Sequence, residues 1–143
     1  MLTSGLLCAT DGSPVSEKAV IFAVELAGKL QQRLTFATVI VAADAETSPL
    51  VWDEQRILAK DLPPDRELLA ALNIAVRANL QHLTCVRLHG TPAAAVIVNY
   101  AEKNNYHHIV AGSSGLTGAK RLLIGSVAAD IVTLAHCPVT IVR

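Results

Sequence analysis

The sequence predicts an α/β fold with a parallel sheet covered by helices on both faces, and three observations predict it. Short apolar runs alternate with longer amphipathic segments, the pattern of strands joined by helical crossovers. Hydrophobic residues make up 52% of the 143 and charged residues only 17%, so most elements must be covered on both sides. The runs that read as strands are also rich in Val, Ile, Thr and Phe. A chain of this length forms one domain, residues 1–143, whose core needs neither disulfides nor a metal. The order along it reads βαβαβαβαβ.

The first strand is Gly5 to Thr10, ending at Asp11-Gly12-Ser13-Pro14. Ser13 caps a helix there, and Pro14 suits its first turn, where no amide donor is needed. That helix runs to about Gln31, with Val15, Ala19, Phe22, Ala23, Leu26, Ala27 and Leu30 at spacings of three and four. The second strand is Leu34 to Ala42. From Ala43 to Arg66 the pattern weakens into a variable loop holding three prolines and the only tryptophan, Trp52. A helix returns from Asp65 to about Gln81 with Leu68, Leu69, Leu72, Val76 and Leu80 on one side. The third strand, Leu83 to His89, ends at Gly90-Thr91-Pro92, where Thr91 caps and Pro92 opens a helix that Asn104-Asn105 terminates. The fourth strand is His107 to Gly112. A polar, glycine-rich loop follows, then a helix from about Ser126 to Ala135 and a last strand, Val139 to Arg143.

Charge removes some function classes. The 12 basic and 12 acidic residues cancel, so the field that draws a protein onto nucleic acid or an anionic membrane is missing. No uncharged stretch approaches the ~20 apolar residues of a membrane helix. MLTSGLLCATDGS lacks the basic start of a signal peptide, which gives a cytoplasmic expectation. Cys8, Cys85 and Cys137 stand singly in apolar segments and read as reduced, buried thiols.

In an open parallel sheet, ligands collect beyond the carboxyl ends of the strands, where neighbouring connections leave in opposite directions. Small polar residues mark two such ends, TDGS after the first strand and GSSGLTG after the fourth, which makes strands one and four central neighbours. In the second stretch, Gly112, Gly115, Gly118 and Gly125-Ser126 surround a helix start, where free amides and the positive dipole end favour phosphate. Ser126 can cap that helix or touch a phosphate oxygen. No GxxxxGK[ST] occurs, although Lys120 and Arg121 offer charge. On the glycines alone two readings stay open, a phosphate cradle or a tight strand-to-helix connection.

The spacing Gly112-Ser113-Ser114-Gly115, nine residues, then Gly125-Ser126, resembles the G-x2-G-x9-G-[ST] nucleotide motif of the universal stress protein family. LLCATDGSPVSEKAV, LHGTPAAAVI and AHCPVTIVR are similar to that family's opening, third and last strands, so the likeness spans essentially the whole chain. It implies a three-layer, Rossmann-like fold related to the adenine nucleotide alpha hydrolases. Its five parallel strands run in order 3-2-1-4-5 and bind ATP, AMP or another adenine nucleotide at the carboxyl edge. By position, the resemblance places Ala9 and Asp11 near adenine and ribose and Val39 at the adenine edge through its backbone. Gly112, Ser113 and Gly115 fall in the ribose and phosphate loop, and Gly125, Ser126 and Val127 on the triphosphate. Magnesium would ride on the phosphates. Family members pair through the final strand, which implies a homodimer through Val139 to Arg143, whose apolar edge also calls for cover.

The chain departs from the family's frequent pattern at Ser114 (often Arg or His), Thr38 (often His) and His107 (often Asp). Asp11 reads as a ribose contact rather than a metal ligand. It lacks the acidic partner of a receiver domain, and TDGSPVS lacks the SGGxDS loop of ATP pyrophosphatases. His107-His108 point to opposite faces of a strand and do not chelate one ion; His82, His89 and His136 lie at element ends. Trp52 either anchors its loop in the core or meets a partner. No catalytic residue is assigned, since no general base for vigorous hydrolysis is visible. The expected role is thus a dimeric, adenine-nucleotide-binding stress-response module. Its alternatives are a dimeric interaction module without nucleotide and a slow ATPase.

Overall fold

The computed structural model describes residues 5–41, 48–114 and 124–143. Its strands are β1 (Gly5–Ala9), β2 (Arg33–Ile40), β3 (Leu50–Trp52), β4 (Leu83–His89), β5 (His108–Gly112) and β6 (Val139–Val142). The helices are α1 (Pro14–Leu30), α2 (Glu54–Leu58), α3 (Arg66–Arg77), α4 (Ala93–Lys103) and α5 (Ser126–Leu134). All six strands form one sheet in the order β3-β4-β2-β1-β5-β6. Every pair is parallel except β3 with β4. The expected five-stranded parallel order is therefore present as β4-β2-β1-β5-β6, and the sheet is longer by one antiparallel edge strand.

Alternation along the strands sorts the core into two layers. Leu6 and Cys8 of β1, Phe36 of β2 and Cys85 of β4 pack with Ala19, Ala23, Leu68 and Leu72 of α1 and α3. Leu7, Ala37, Val86 and Ile109 point the other way, onto Ile97 and Val98 of α4 and Ile131 of α5. Connections from β1 and β2 thus cross one face, while those from β4 and β5 cross the other. The direction reverses between β1 and β5, which pair directly, so the crevice of the switch point opens between their carboxyl ends.

The loop expected over 43–66 holds β3 and α2 among its described residues. Trp52 anchors β3: its side chain is buried in the α1/α3 core layer, and the guanidiniums of Arg56 and Arg87 lie over its ring at 5.3 and 5.4 Å. A three-residue strand and a five-residue helix are too short to show a period, and three prolines mask them.

Several helix boundaries differ from expectation. Helix α3 starts after Asp65 and stops at Arg77. The carboxylate of Asp65 makes no cap bond and instead holds Arg87 through two hydrogen bonds of 2.7 and 2.8 Å. Pro92, not Thr91, stands at the N-cap of α4, and Gly125, not Ser126, at that of α5. Cys8 and Cys85 are buried, whereas Cys137 is only half-buried. No helix among the described residues is long and apolar enough to cross a membrane.

Candidate functional site

At the end of β1 the chain turns sharply into α1, and its own side chains hold that turn. Gly12 takes a left-handed φ of 82°, a conformation that a side chain would strain. Asp11 Oδ1 accepts the Ser13 amide at 2.9 Å, and Ser13 Oγ accepts the Ser16 amide at 3.2 Å as the N-cap of α1. Ser16 Oγ donates to the Ser13 carbonyl at 2.9 Å and lies 3.2 Å from Thr10 Oγ1. Since Ser16 has spent its only proton on Ser13, Thr10 donates in that second contact. A hydroxyl and carboxylate network thus holds the turn and caps the Ser16 amide at the start of α1.

The start of α5 is built differently. The Gly125 amide donates to the Ser113 carbonyl at 2.7 Å, and the Ser113 amide to the Val142 carbonyl at 2.8 Å, which pins the N-cap to the end of β5. A Cβ on Gly125 would stand 3.2 Å from that Ser113 oxygen, and one on Gly112 only 3.1 Å from Val15 of α1. Both glycines permit tight backbone contacts. No described side chain caps α5, so the first-turn amides and the positive end of the helix dipole are left for something else. Helices α3 and α4 also lack a side-chain cap; what distinguishes α5 is where it opens.

It opens onto a cavity of about 320 Å³ at the switch point. Ala9 and Asp11 of the β1 end, Val39 of β2 and Gly112 of β5 line it, with Gly125, Ser126 and Val127 across from them. Ser113 lies beside the cavity, buried, with its backbone committed to Val142 and Gly125. Gly115, Gly118, Lys120 and Arg121 fall outside the described residues. Sequence reasoning missed the apolar wall: Ala37, Ile97 and Ile131 line the cavity, as do Thr10, Ser16 and Ser114. For Ala37 the signal was available, because it lies two residues from Val39 and so shares its face.

The ladder also positions the Val39 backbone. The Thr10 amide donates to the Ala37 carbonyl at 2.9 Å, so odd residues of β2 direct their backbone groups toward β1. Register pairing ends at Ala9 with Ala37, which leaves the Val39 amide and carbonyl facing the crevice beyond the last residue of β1. Next to it, Thr38 Oγ1 donates to Glu67 Oε1 at 3.1 Å, fixing the β2 end to α3.

Asp11 is the only carboxylate lining the cavity among the described residues. The nearest thiol, Cys8, lies in the core, and burial pushes it up to about 12, so it is an inert hydrophobe at neutral pH. No group of three His, Cys, Asp or Glu that could hold a metal occurs among the described residues. Among the described residues the arrangement therefore joins an apolar slot to one carboxylate and one open helix end, features suited to holding a ligand with an apolar part and an anionic part.

The sequence model of the universal stress protein family matches residues 5–143. The chain belongs to the universal stress protein family. YxiE of Bacillus subtilis, a universal stress protein, is 34% identical over 147 residues, covering 96% of this chain and 97% of YxiE. A universal stress protein of Methanocaldococcus jannaschii is 33% identical over 141 residues, covering 94% and 78%. Among solved structures, a universal stress protein in complex with cAMP aligns at a TM-score of 0.74 and 23% identity over 100% of this chain and 99% of that one. One from Archaeoglobus fulgidus in complex with dAMP aligns at 0.71 and 23%, covering both chains fully (100% and 100%). At that identity these two universal stress proteins attest the shared fold.

Proposed function

We propose that this universal stress protein binds an adenine nucleotide at the switch-point cavity. The observation that carries the reading is the uncapped start of α5 opening onto an apolar slot. The base lies between Val39, Ala37 and Ile97 with its polar edge on the Val39 backbone, the ribose meets Asp11, and the phosphates rest on the amides of Ser126 and Val127. Gly112 and Ser113 lie beside the phosphates, and Gly115, which the family motif also assigns there, falls outside the described residues. The fold relatives solved with cAMP and dAMP carry adenine nucleotides in their own sites, which supports the same ligand class here. Magnesium would travel with the phosphates, and no step depends on it. Among the described residues of the lining Asp11 is the one carboxylate, and the proposed role is to hold the ligand as a cytoplasmic regulatory module of the stress response rather than to turn it over.

The edge strand supports a dimer. Ile109 and Ser113 donate to the carbonyls of Pro138 and Val142, so even residues at β6 face β5, and Val139 and Ile141 present their backbone groups outward. Val132 and Leu134 of α5 are exposed, at 54% and 51%. A second copy pairing along Val139–Val142 about a two-fold axis covers this edge.

Calorimetric titration of the purified protein with AMP, ATP, GMP and inorganic phosphate tests the ligand. Saturable binding of the adenine nucleotides, at least tenfold tighter than GMP, is expected. Equal or absent binding of all four would leave a dimeric interaction module without nucleotide.

A further inference from the structure

The far edge of the sheet is finished in a way the β6 edge is not. Gly90 donates its amide to the Ile40 carbonyl at 3.1 Å and the His82 carbonyl accepts from Leu34, so even residues of β4 face β2 and odd ones face outward. Cys85 and Arg87 therefore meet Trp52 and Leu50 of β3, and Val51, between them, turns its amide and carbonyl to the outside. That carbonyl is already occupied: Arg56 Nη1 donates to it at 2.8 Å. The same guanidinium donates from Nε to Asp61 at 2.7 Å and lies over the ring of Trp52, which is 6% exposed. Asp53 caps α2 by accepting the Arg56 amide at 2.9 Å, which brings the arginine back beside its own strand. A strand of three residues thus exposes one outward residue, and a charged side chain held at three points covers its acceptor.

We propose that the segment from β3 through Asp61 is a plug that denies the β4 edge to strand addition, so that the chain associates with itself through one edge only. The physical reason is closure. Two copies joined through the same edge form a finished pair, whereas a pair whose other edges are also open adds further copies edge to edge without end. Without the plug, Cys85 and Arg87, the outward-facing residues that β3 pairs, would join Leu83 and His89 in an open edge. This inference rests on the proposed pairing through β6 but not on the nucleotide reading, because it concerns the opposite rim of the sheet and uses no residue of the cavity.

Sedimentation velocity of the full chain across a hundredfold range of protein concentration tests it, with circular dichroism as the check on folding. Wild type keeps one mass. Replacing residues 49–61 by a short glycine-serine linker makes the weight-average mass climb with concentration, to roughly double the wild-type value or more. Arg56→Ala, which leaves Trp52 in place, gives a smaller rise in the same direction. Adding Arg87→Pro to the linker variant removes an amide from the opened edge and returns the mass toward wild type. Wild-type mass in a folded linker variant overturns the proposal, as does growth that persists with Arg87→Pro. Should the linker variant fail to fold, Arg56→Ala decides, and a mass unchanged over the whole range refutes the plug.

Discussion

Two helices start at the same crevice, α1 after β1 and α5 beyond β5, and they meet the same electrostatic problem in opposite ways. Each presents first-turn amides and a positive dipole end. At α1, Ser13 takes the Ser16 amide and Asp11 takes the Ser13 amide, so the chain's own side chains occupy these two donors. At α5 the N-cap is Gly125, which has no side chain to offer, and residues Gly125 to Ala128 line the cavity. On the proposed reading, the difference teaches that an anion site is made as much by what the sequence withholds at one terminus as by what it supplies at another.

The largest effect is expected from giving α5 the negative charge it lacks. Ser126→Asp places a carboxylate where the phosphates would rest, so affinity for AMP should fall on the order of a hundredfold by calorimetry, while the melting temperature holds or rises because an acidic residue suits a helix start. Loss of binding together with a lower melting temperature would mean that the site was merely unfolded. Asp11→Asn is next. The side-chain oxygen can still accept the Ser13 amide, so the turn survives, and the loss of charge toward the ribose should weaken AMP about tenfold. Unchanged affinity would remove Asp11 from the site.

At the closed terminus the two readouts should separate the other way. Ser13→Ala should cost about 1 kcal/mol in chemical denaturation and leave nucleotide affinity within roughly twofold. A third terminus sharpens the contrast at smaller scale. Asp65 precedes α3 but spends its carboxylate on Arg87, whose hydrogen bonds hold its titration below the usual carboxylate range. A lowered folded value adds stability that is fully present above the unfolded value near ~3.9 and is lost as pH falls through the folded one. Wild type should therefore weaken more steeply in acid than Asp65→Asn, read as denaturation midpoints from pH 6 down to pH 3.

Much of this was legible in the residues. Ser13-Pro14 announced α1, and the paired polar ends after β1 and β5 located the switch point, because capping and turn chemistry are local. The glycines were ambiguous for a physical reason: a missing Cβ serves a ligand and a neighbouring backbone alike. Gly112 lies tight against Val15 and Gly125 against Ser113 in the folded chain, contacts no spacing rule reveals. Ala37, Ile97 and Ile131 stayed hidden as cavity wall because in a periodic pattern they look like any core residue. Trp52 and β3 stayed hidden because a strand of three residues takes its identity from Cys85 and Arg87 across the ladder, more than thirty positions away. Thr38 illustrates the converse: its hydroxyl reaches Glu67, and the residue does not line the cavity.

The central claim is that the open amides of α5 receive phosphate. Amide chemical shifts of Ser126, Val127 and Ala128, followed by heteronuclear NMR during titration with AMP and then with adenosine, test it most directly. Large downfield movement of these amides with AMP and little with adenosine is the expected result. Saturable AMP binding that leaves all three unmoved would contradict the account.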